Sequence, residues 1–304
     1  MEEKFHIISK YDDRKIHGTI FIPEQKQVKG IVQISHGMCE HKERYFDFMR
    51  FLNNNGYITV INDHRGHGAS VTDKQELGYF KDKQGDAIVD DLLQVTLYIK
   101  NRYPQYKVIL FGHSMGSLVV RKYIQENDDK ISKLIVCGSP SKNNFVSIGI
   151  CITKIIGMFK GEFYRSKFVE HMATGRGNKK FLDEKDEVSW ITSDKKIRDN
   201  YRNDELCNFK FTINGYLNLF HLVKHVYTKN RYKVLNRKLP ILFIAGEDDP
   251  VIVSKEKWNQ SQEFLRKVGY SNVKGILYNK MRHEILNEIE KDEVYNDILK
   301  YISD

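Results

Sequence analysis

Short apolar runs alternate with segments of helical periodicity along most of this chain. The runs that predict buried strands lie at residues 5–10, 16–22, 28–35, 57–63, 108–112, 239–246 and 273–278. Helices are predicted at about residues 44–55, 84–101, 254–268 and 285–302. Strands that alternate with helices are typical of the α/β class, in which helices flank a mostly parallel sheet.

The alternation breaks at residues 141–231, where helix-like stretches follow one another without a clear buried strand. We therefore expect residues 1–140 and 232–304 to form one core, and residues 141–231 to form an inserted helical cap. The segment 145–159 is apolar on nearly every face but is interrupted by two glycines and a lysine, and it is too short to span a bilayer comfortably. It predicts either a mobile lid or a helix packed between cap and core.

A candidate nucleophile follows the apolar run at 108–112, where the pentapeptide GHSMG occupies residues 112–116. A serine at a sharp turn between a strand and a helix needs small residues two positions before and two after it. Gly112 and Gly116 meet that requirement. The pattern predicts a nucleophile elbow that exposes the Ser114 hydroxyl at a helix N-terminus, where amide groups favour negative charge.

A nucleophilic serine needs a base and a carboxylate that orients the base, in the chain order serine, acid, histidine for this arrangement. The acid has three candidates directly after the run at 239–246, namely Glu247, Asp248 and Asp249. Pro250 restricts the backbone of the residue before it, which favours Asp249. His283 follows the run at 273–278 and is the only histidine after Asp249, so it is the predicted base.

Amide groups that bind the developing oxyanion are expected at two positions. The first is the amide of Met115, which follows the nucleophile. The second is the amide of Met38, because Gly37 allows the loop after the run at 28–35 to turn its amides toward the site. His36 precedes the serine, which is the wrong order for the base, and we expect it to brace this loop.

These residues form a set that resembles the α/β-hydrolases of the monoacylglycerol lipase and lysophospholipase group, which are sometimes classed with serine aminopeptidases. The matching pieces are residues 36–41 with Arg44 and Tyr45, residues 62–70, residues 112–117, residues 246–249 and His283. The resemblance covers most of the chain. It implies an α/β-hydrolase fold with a mostly parallel eight-stranded sheet and an inserted helical cap.

The resemblance also implies roles for individual residues. It implies a catalytic triad of Ser114, Asp249 and His283, an oxyanion hole formed by Met38 and Met115, and an ester substrate with one long acyl chain. It further places Glu40, Arg44 and His113 among the residues that bind substrate. Glu40 and Arg44 are also spaced to form an ion pair at the start of a helix, which is the alternative interpretation.

Other histidines suggest metal sites only weakly. His221 and His225 lie four residues apart on a predicted helix, but Leu222 stands where a zinc protease has its glutamate, so a surface pair is expected. His64 and His67 belong to a glycine-rich loop that is expected to be structural. We predict no metal ion.

Composition narrows the function classes further. The net charge is +9, but the basic residues are scattered and no basic and aromatic motif of a nucleic-acid module is present, so no nucleic-acid partner is expected. The four cysteines lack metal-ligand spacing and no signal peptide is evident, which predicts a reducing cytoplasm. Membrane contact is expected to be peripheral and through the cap.

The sequence therefore predicts a serine carboxylester hydrolase that acts on a lipid ester through an acyl-enzyme and needs no cofactor. The alternatives are an aminopeptidase of the proline-iminopeptidase type, with acidic cap residues that bind a free amine, and a thioesterase. A catalytically inactive binding module on the same fold is the non-enzyme alternative.

Overall fold

A computed structural model describes residues 1–24, 27–175 and 177–304 of the chain. Its centre is one eight-stranded sheet with the strand order β1-β2-β4-β3-β5-β6-β7-β8. The strands span Glu2–Ile8 (β1), Lys15–Phe21 (β2), Gly30–Ser35 (β3), Tyr57–Asn62 (β4), Val108–His113 (β5), Lys133–Cys137 (β6), Ile241–Gly246 (β7) and Val273–Tyr278 (β8). Strands β1 and β2 run antiparallel at one edge, and the other six strands are parallel. The predicted mostly parallel sheet is confirmed.

Helices cover both faces of this sheet. They span Phe46–Asn54 (α1), Ala87–Arg102 (α2), Met115–Asn127 (α3), Val146–Lys160 (α4), Lys167–Thr174 (α5), Lys195–Asn203 (α6), Ile213–Val226 (α7), Lys255–Val268 (α8) and Lys291–Ser303 (α9). Side chains alternate across a strand, so Val60 and Leu110 pack with α2, α3 and α8, whereas Ile61 and Phe111 pack with α1 and α9. The parallel strands are buried on both faces, which explains their nearly continuous apolar sequence.

The register of the parallel strands brings their carboxyl ends to one edge. Ser35 at the end of β3 pairs with Gly112 of β5, and His113 pairs with Cys137 at the end of β6. On the far side of β6, Gly246 of β7 pairs with Tyr278 of β8. The loops that follow β3, β5, β6, β7 and β8 therefore start from the same edge of the sheet.

The last predicted helix, at 285–302, is wrong in its first part. A short 3-10 turn at Ile285–Asn287 ends at Glu288, which has an extended backbone, and α9 begins at Lys291. The Glu288 carboxylate accepts hydrogen bonds from the amides of Arg282 (2.7 Å) and Ser193 (2.9 Å). These two contacts hold Glu288 outside a helix, and local periodicity does not reveal the one from Ser193, which is 95 residues away.

The chain between β6 and β7 contributes α4 to α7 and, in its described residues, no strand. Helix α4 packs on α7, and α7 packs on α3 of the core. Ile150 and Thr153 of α4 are buried, but Met158 and Phe159 are each 81% exposed. Helix α4 thus packs on one side and leaves large apolar side chains open on the other. None of the described helices has the length and apolar content needed to cross a membrane.

A buried ion pair joins the amino-terminal hairpin, the loop after β4 and helix α2. Arg65 Nε lies 2.8 Å from Asp91 Oδ2, and both side chains are fully buried. The guanidinium also donates to the carbonyl of Phe80 (2.8 Å) and to the hydroxyl of Ser9 (2.9 Å). One cation therefore satisfies acceptors from three segments.

We expect Arg65→Met to lower the free energy of unfolding by about 3–5 kcal/mol, because it leaves Asp91 buried without its counterion. The control is Arg50→Met, which removes the exposed pair with Asp47 and should cost less than about 1 kcal/mol. Chemical denaturation measures both. Equal losses in the two variants would contradict this account of the core.

Candidate active site

Ser114 has the strained backbone that a nucleophile elbow requires, with φ of 51° and ψ of −118° at the junction of β5 and α3. A Cβ atom at Gly112 would overlap the carbonyl of Gly116, and one at Gly116 would overlap the carbonyl of Ser35. Both glycines are therefore required for the turn. Ser114 itself is half-buried.

His283 and Asp249 are paired below this surface. His283 Nδ1 lies 3.0 Å from each carboxylate oxygen of Asp249, and both residues are only 3% exposed. Asp249 Oδ1 also accepts the amide of Val251 at 2.8 Å, which fixes the carboxylate. With Nδ1 donating to Asp249, the lone pair of the imidazole is on Nε2. Of the other two candidate acids, Glu247 is exposed and Asp248 pairs with Lys180.

Ser114 and His283 both lie beside the turn after β6. The Ser114 amide donates to the carbonyl of Cys137 at 3.0 Å. A Cβ at Gly138, the next residue, would lie 3.2 Å from His283 Cε1. Ser114 Oγ and His283 form no hydrogen bond among those described, and in ligand-free enzymes this bond often tightens only when substrate binds.

The loop after β3 contacts the serine directly. A Cβ at Gly37 would lie 3.2 Å from Ser114 Cβ. The Gly37 amide is already bound to Glu40 Oε1 at 2.5 Å, whereas no hydrogen bond of the Met38 amide is found in the described part of the chain. Met115 is the first residue of α3, so its amide has no acceptor within the helix. Both predicted oxyanion donors remain available for a ligand.

Three buried histidines brace this loop. His36 Nε2 accepts the amide of His64 at 2.9 Å, and His36 Nδ1 donates to the carbonyl of Gly37 at 2.8 Å. His67 Nε2 accepts the amide of Cys39 at 3.3 Å. These contacts agree with a bracing role for His36 and with a structural role for the loop of His64 and His67.

Comparison with known proteins places this arrangement in a family. The family model described as serine aminopeptidase, S33, matches residues 26–290. The chain belongs to this family. Its fold is that of the α/β-hydrolases, as the sequence resemblance implied.

Among solved structures, a thermostable carboxyl esterase from Bacillus coagulans in complex with glycerol superposes with a TM-score of 0.89 at 26% identity, over 99% of this chain and 97% of that chain. A phospholipase of Bacillus subtilis, YtpA, is 23% identical over 87% of this chain and 92% of its own length. A monoglyceride lipase homolog of monkeypox virus is 36% identical over 30% of this chain. This chain spans less than a third of the length of that homolog and of the mammalian monoglyceride lipases it matches.

In this S33 family member the side chains of Glu40 and Arg44 are bound to other side chains of the same chain. Arg44 Nη1 lies 2.7 Å from Glu40 Oε2, and the Arg44 guanidinium also forms two bonds with the carboxylate of Glu284. Glu40 is 3% exposed. These contacts favour the ion pair at the helix start over direct substrate contact. His113 is likewise buried, with its Nε2 bonded to the carbonyl of His283 at 3.2 Å.

The expected surface pair of His221 and His225 is wrong, because the two side chains are only 8% and 4% exposed. Helix α7 lies between α4 and the core, so the histidine face is covered. Burial lowers the pKa of His221 to about 4 and that of His225 to about 3, with nearby lysines adding to the effect. Sequence periodicity indicated the helix but not the element that covers it.

The inserted segment supplies a residue that the sequence did not single out. The Trp190 ring lies over the His283 ring, with the centroids 5.1 Å apart and the planes at 37°. Two amides add to this contact, since His283 N donates to Trp190 O (3.4 Å) and Glu284 N donates to Ile191 O (2.6 Å). No motif of the sequence analysis included Trp190, because its contact with His283 joins residues far apart in the chain.

One group of described side chains is close enough to share a metal ion, namely His41, Asp204 and Cys207. His41 Nε2 is hydrogen-bonded to Asp204 Oδ2 at 2.9 Å. Burial raises the pKa of the Cys207 thiol, which keeps it in the protonated form that binds metals poorly. The group is therefore explained as a hydrogen-bonded pair beside a buried thiol.

The bracing histidines predict a pH effect on folding. Burial, reinforced by the charge of His36, lowers the pKa of His67 to about 3. An unfolded histidine titrates near about 6.5, so below that pH the unfolded chain takes up a proton that folded His67 excludes. The free energy of unfolding should therefore fall as the pH drops from about 6.5 toward 3.

We expect His67→Gln, which keeps an acceptor for the Cys39 amide, to flatten this acid slope. Urea denaturation across the pH range measures the slope in the variant and in the wild type. His6→Gln, on an exposed position of β1, is the control. An equal flattening in both variants would show that the slope does not come from buried His67.

Proposed function

We propose that the protein is a serine carboxylester hydrolase that cleaves a lipid ester with one acyl chain, a monoacylglycerol or a lysophospholipid, through an acyl-enzyme. The observation that carries this proposal is the bidentate contact of His283 Nδ1 with Asp249 beside a serine in an elbow conformation. The names of similar proteins, a monoglyceride lipase homolog, a phospholipase and a carboxyl esterase, support the substrate class.

The mechanism assigns one task to each group. Ser114 Oγ attacks the ester carbonyl while its proton passes to His283 Nε2, and Asp249 stabilises the resulting imidazolium. The amides of Met38 and Met115 bind the oxyanion of the tetrahedral intermediate.

When this intermediate collapses, the alcohol leaves with the proton from His283 and the acyl group stays on Ser114. Water, deprotonated by His283, then attacks the acyl-enzyme. A second collapse releases the fatty acid and returns the proton to Ser114 Oγ. The cycle uses side chains and water alone.

Residues 141–231 act as the cap of this site, with residues 1–140 and 232–304 as the core. Helix α4 and its flanks expose a patch of large apolar side chains, which we call the α4 patch: Phe145, Ile148, Ile155, Met158 and Phe159. Exposed lysines border the patch at positions 142, 154 and 160. Apolar anchors with basic neighbours suit the surface of a membrane that contains anionic lipid. The α4 patch therefore gives the protein a peripheral contact with the membrane that holds its substrate.

The four cysteines are free, which suits the predicted cytoplasmic location because disulfides are rare in that compartment.

The aminopeptidase alternative has less support. It needs cap acids that are free to bind a substrate amine. Four acids of this segment are candidates, namely Glu162, Glu170, Asp183 and Glu184. Three of them are already paired with basic side chains: Glu162 with Lys83, Glu170 with Lys210, and Glu184 with Arg198 and Arg282. The remaining candidate is the exposed Asp183.

The central prediction concerns Asp249. We expect Asp249→Asn to lower kcat by roughly 10⁴-fold with a long-chain monoacylglycerol, because the imidazole loses its orienting carboxylate. Asp248→Asn changes the preceding residue in the same way, serves as the matched control and should retain kcat within about threefold. Steady-state hydrolysis measures both, and a fluorophosphonate probe should label Ser114 in the folded wild type. No labelling of Ser114 in the folded protein would favour the inactive binding module.

Substrate class is tested with the same protein on four substrates: a monoacylglycerol, a lysophospholipid, a short-chain nitrophenyl ester and an aminoacyl anilide. We expect the two lipids to give the highest kcat/KM. A preference for the anilide would overturn the lipid assignment in favour of the aminopeptidase.

The α4 patch predicts membrane binding. The double variant Met158→Ser, Phe159→Ser should bind vesicles that contain anionic lipid at least about tenfold more weakly, because two apolar anchors are lost. The control pair is Leu235→Ser and Ile289→Ser, which removes two exposed apolar side chains outside the patch. Vesicle sedimentation measures binding, and equal effects of the two pairs would contradict a role for α4.

A further inference from the structure

A buried charge cluster lies behind the candidate site and consists of Glu40, Arg44, His113 and Glu284. Their side chains are 4%, 11%, 5% and 7% exposed. Arg44 bridges the two acids, with one bond to Glu40 and a bidentate pair with Glu284. One cation shared by two buried carboxylates leaves one negative charge without a partner.

His113 is placed to supply that partner. Its Nδ1 lies 3.5 Å from Glu40 Oε1 and 3.0 Å from the hydroxyl of Tyr45. The Tyr45 hydroxyl has one proton and donates it to Glu40 Oε1 at 2.7 Å. The Tyr45 oxygen can therefore only accept from His113 Nδ1.

The other ring nitrogen also faces an acceptor. His113 Nε2 lies 3.2 Å from the main-chain carbonyl oxygen of His283, so this nitrogen donates as well. An imidazole that donates from both nitrogens is protonated. The hydrogen-bond geometry and the charge balance of the cluster thus both require His113 to be protonated.

Electrostatics support this state. Burial alone disfavours a charged imidazole, but the hydrogen bond and charge of Glu40 outweigh it, so the pKa of His113 is raised. Burial likewise opposes ionised Glu40, yet His113 and Arg44 together bring the pKa of Glu40 well below its usual range. The charged and titratable groups around His113 are Glu40, Arg44, Tyr45, His283, Glu284 and, through His283, Asp249.

We propose that His113 is a positioning residue, an imidazolium at neutral pH that neutralises the buried cluster and ties the oxyanion loop to the segment of the general base. The inference rests on the proposed hydrolase function. Glu40 accepts the Gly37 amide next to Met38, and His113 connects this carboxylate to the carbonyl of His283. The same ring packs on the His283 ring, with the centroids 4.7 Å apart. One cation thereby aligns the oxyanion donors with the base.

The protonation state is tested first, by nitrogen NMR of the histidine rings in the wild-type protein, with the His113 signals assigned from their loss in His113→Gln. At about pH 7.2, above the ordinary histidine pKa of about 6.5, both His113 nitrogens should still show the protonated signature. A neutral tautomer at this pH would overturn the proposal. This measurement needs no turnover, so it stands even if the protein proves not to be a hydrolase.

The effect on the base is tested by the pH profile of kcat/KM. His113→Gln keeps a donor for the His283 carbonyl but removes the charge, which leaves the cluster negative beside the His283 ring. A nearby negative charge favours the protonated form of the base. The acid limb of the profile, where kcat/KM rises with pH as the base loses its proton, should therefore shift to higher pH by about half a pH unit or more. An unmoved acid limb in a folded variant would contradict the inference.

The double variant Glu40→Gln, His113→Gln restores charge balance, because Arg44 then pairs with Glu284 alone. We expect its acid limb to return toward the wild-type position, although kcat stays low since the loop contacts are lost. His225→Gln replaces another buried histidine, outside the site, and should leave the limb unchanged. A limb that stays displaced in the double variant would show that packing, and not charge, moved it.

Discussion

The strained backbone of Ser114 is the constraint on which the site depends. Its positive φ occurs where the chain is closely packed, since a Cβ at Gly116 would overlap the Ser35 carbonyl and one at Gly37 would lie 3.2 Å from Ser114 Cβ. The same close packing brings the loop after β3 beside the serine, where the Met38 amide lies. The strained turn therefore places the candidate nucleophile next to the loop that holds one of the two predicted oxyanion donors.

The base is fixed from a different direction. Asp249 orients the His283 ring, whereas the inserted segment holds its backbone through the Trp190 and Ile191 carbonyls. The rings of Trp190 and His113 both pack on the His283 ring. The turn that carries Trp190 and Ile191 therefore links the inserted segment to the backbone at His283, the candidate base.

Much of this fold was readable from sequence because its signals are local. A buried apolar run followed by GHSMG predicts a nucleophile elbow. Ser114, Asp249 and His283 each follow a predicted strand, and they occur along the chain in the order expected for nucleophile, acid and base. The features that were missed are long-range. Glu284 lies 240 residues from Arg44, its ion-pair partner, and the extended backbone of Glu288 depends on Ser193. The burial of His221 likewise depends on which helix covers α7, which no local pattern records.

The most direct test of the account is a crystal structure of the protein after reaction with a long-chain alkyl phosphonate. The account predicts a covalent bond from Ser114 Oγ to phosphorus, with the phosphonyl oxygen about 2.7–3.1 Å from the amides of Met38 and Met115. His283 Nε2 should lie within hydrogen-bond distance of Ser114 Oγ. A phosphonyl oxygen turned to solvent, or an imidazole out of reach of the adduct, would contradict the convergence of these groups into one hydrolytic site.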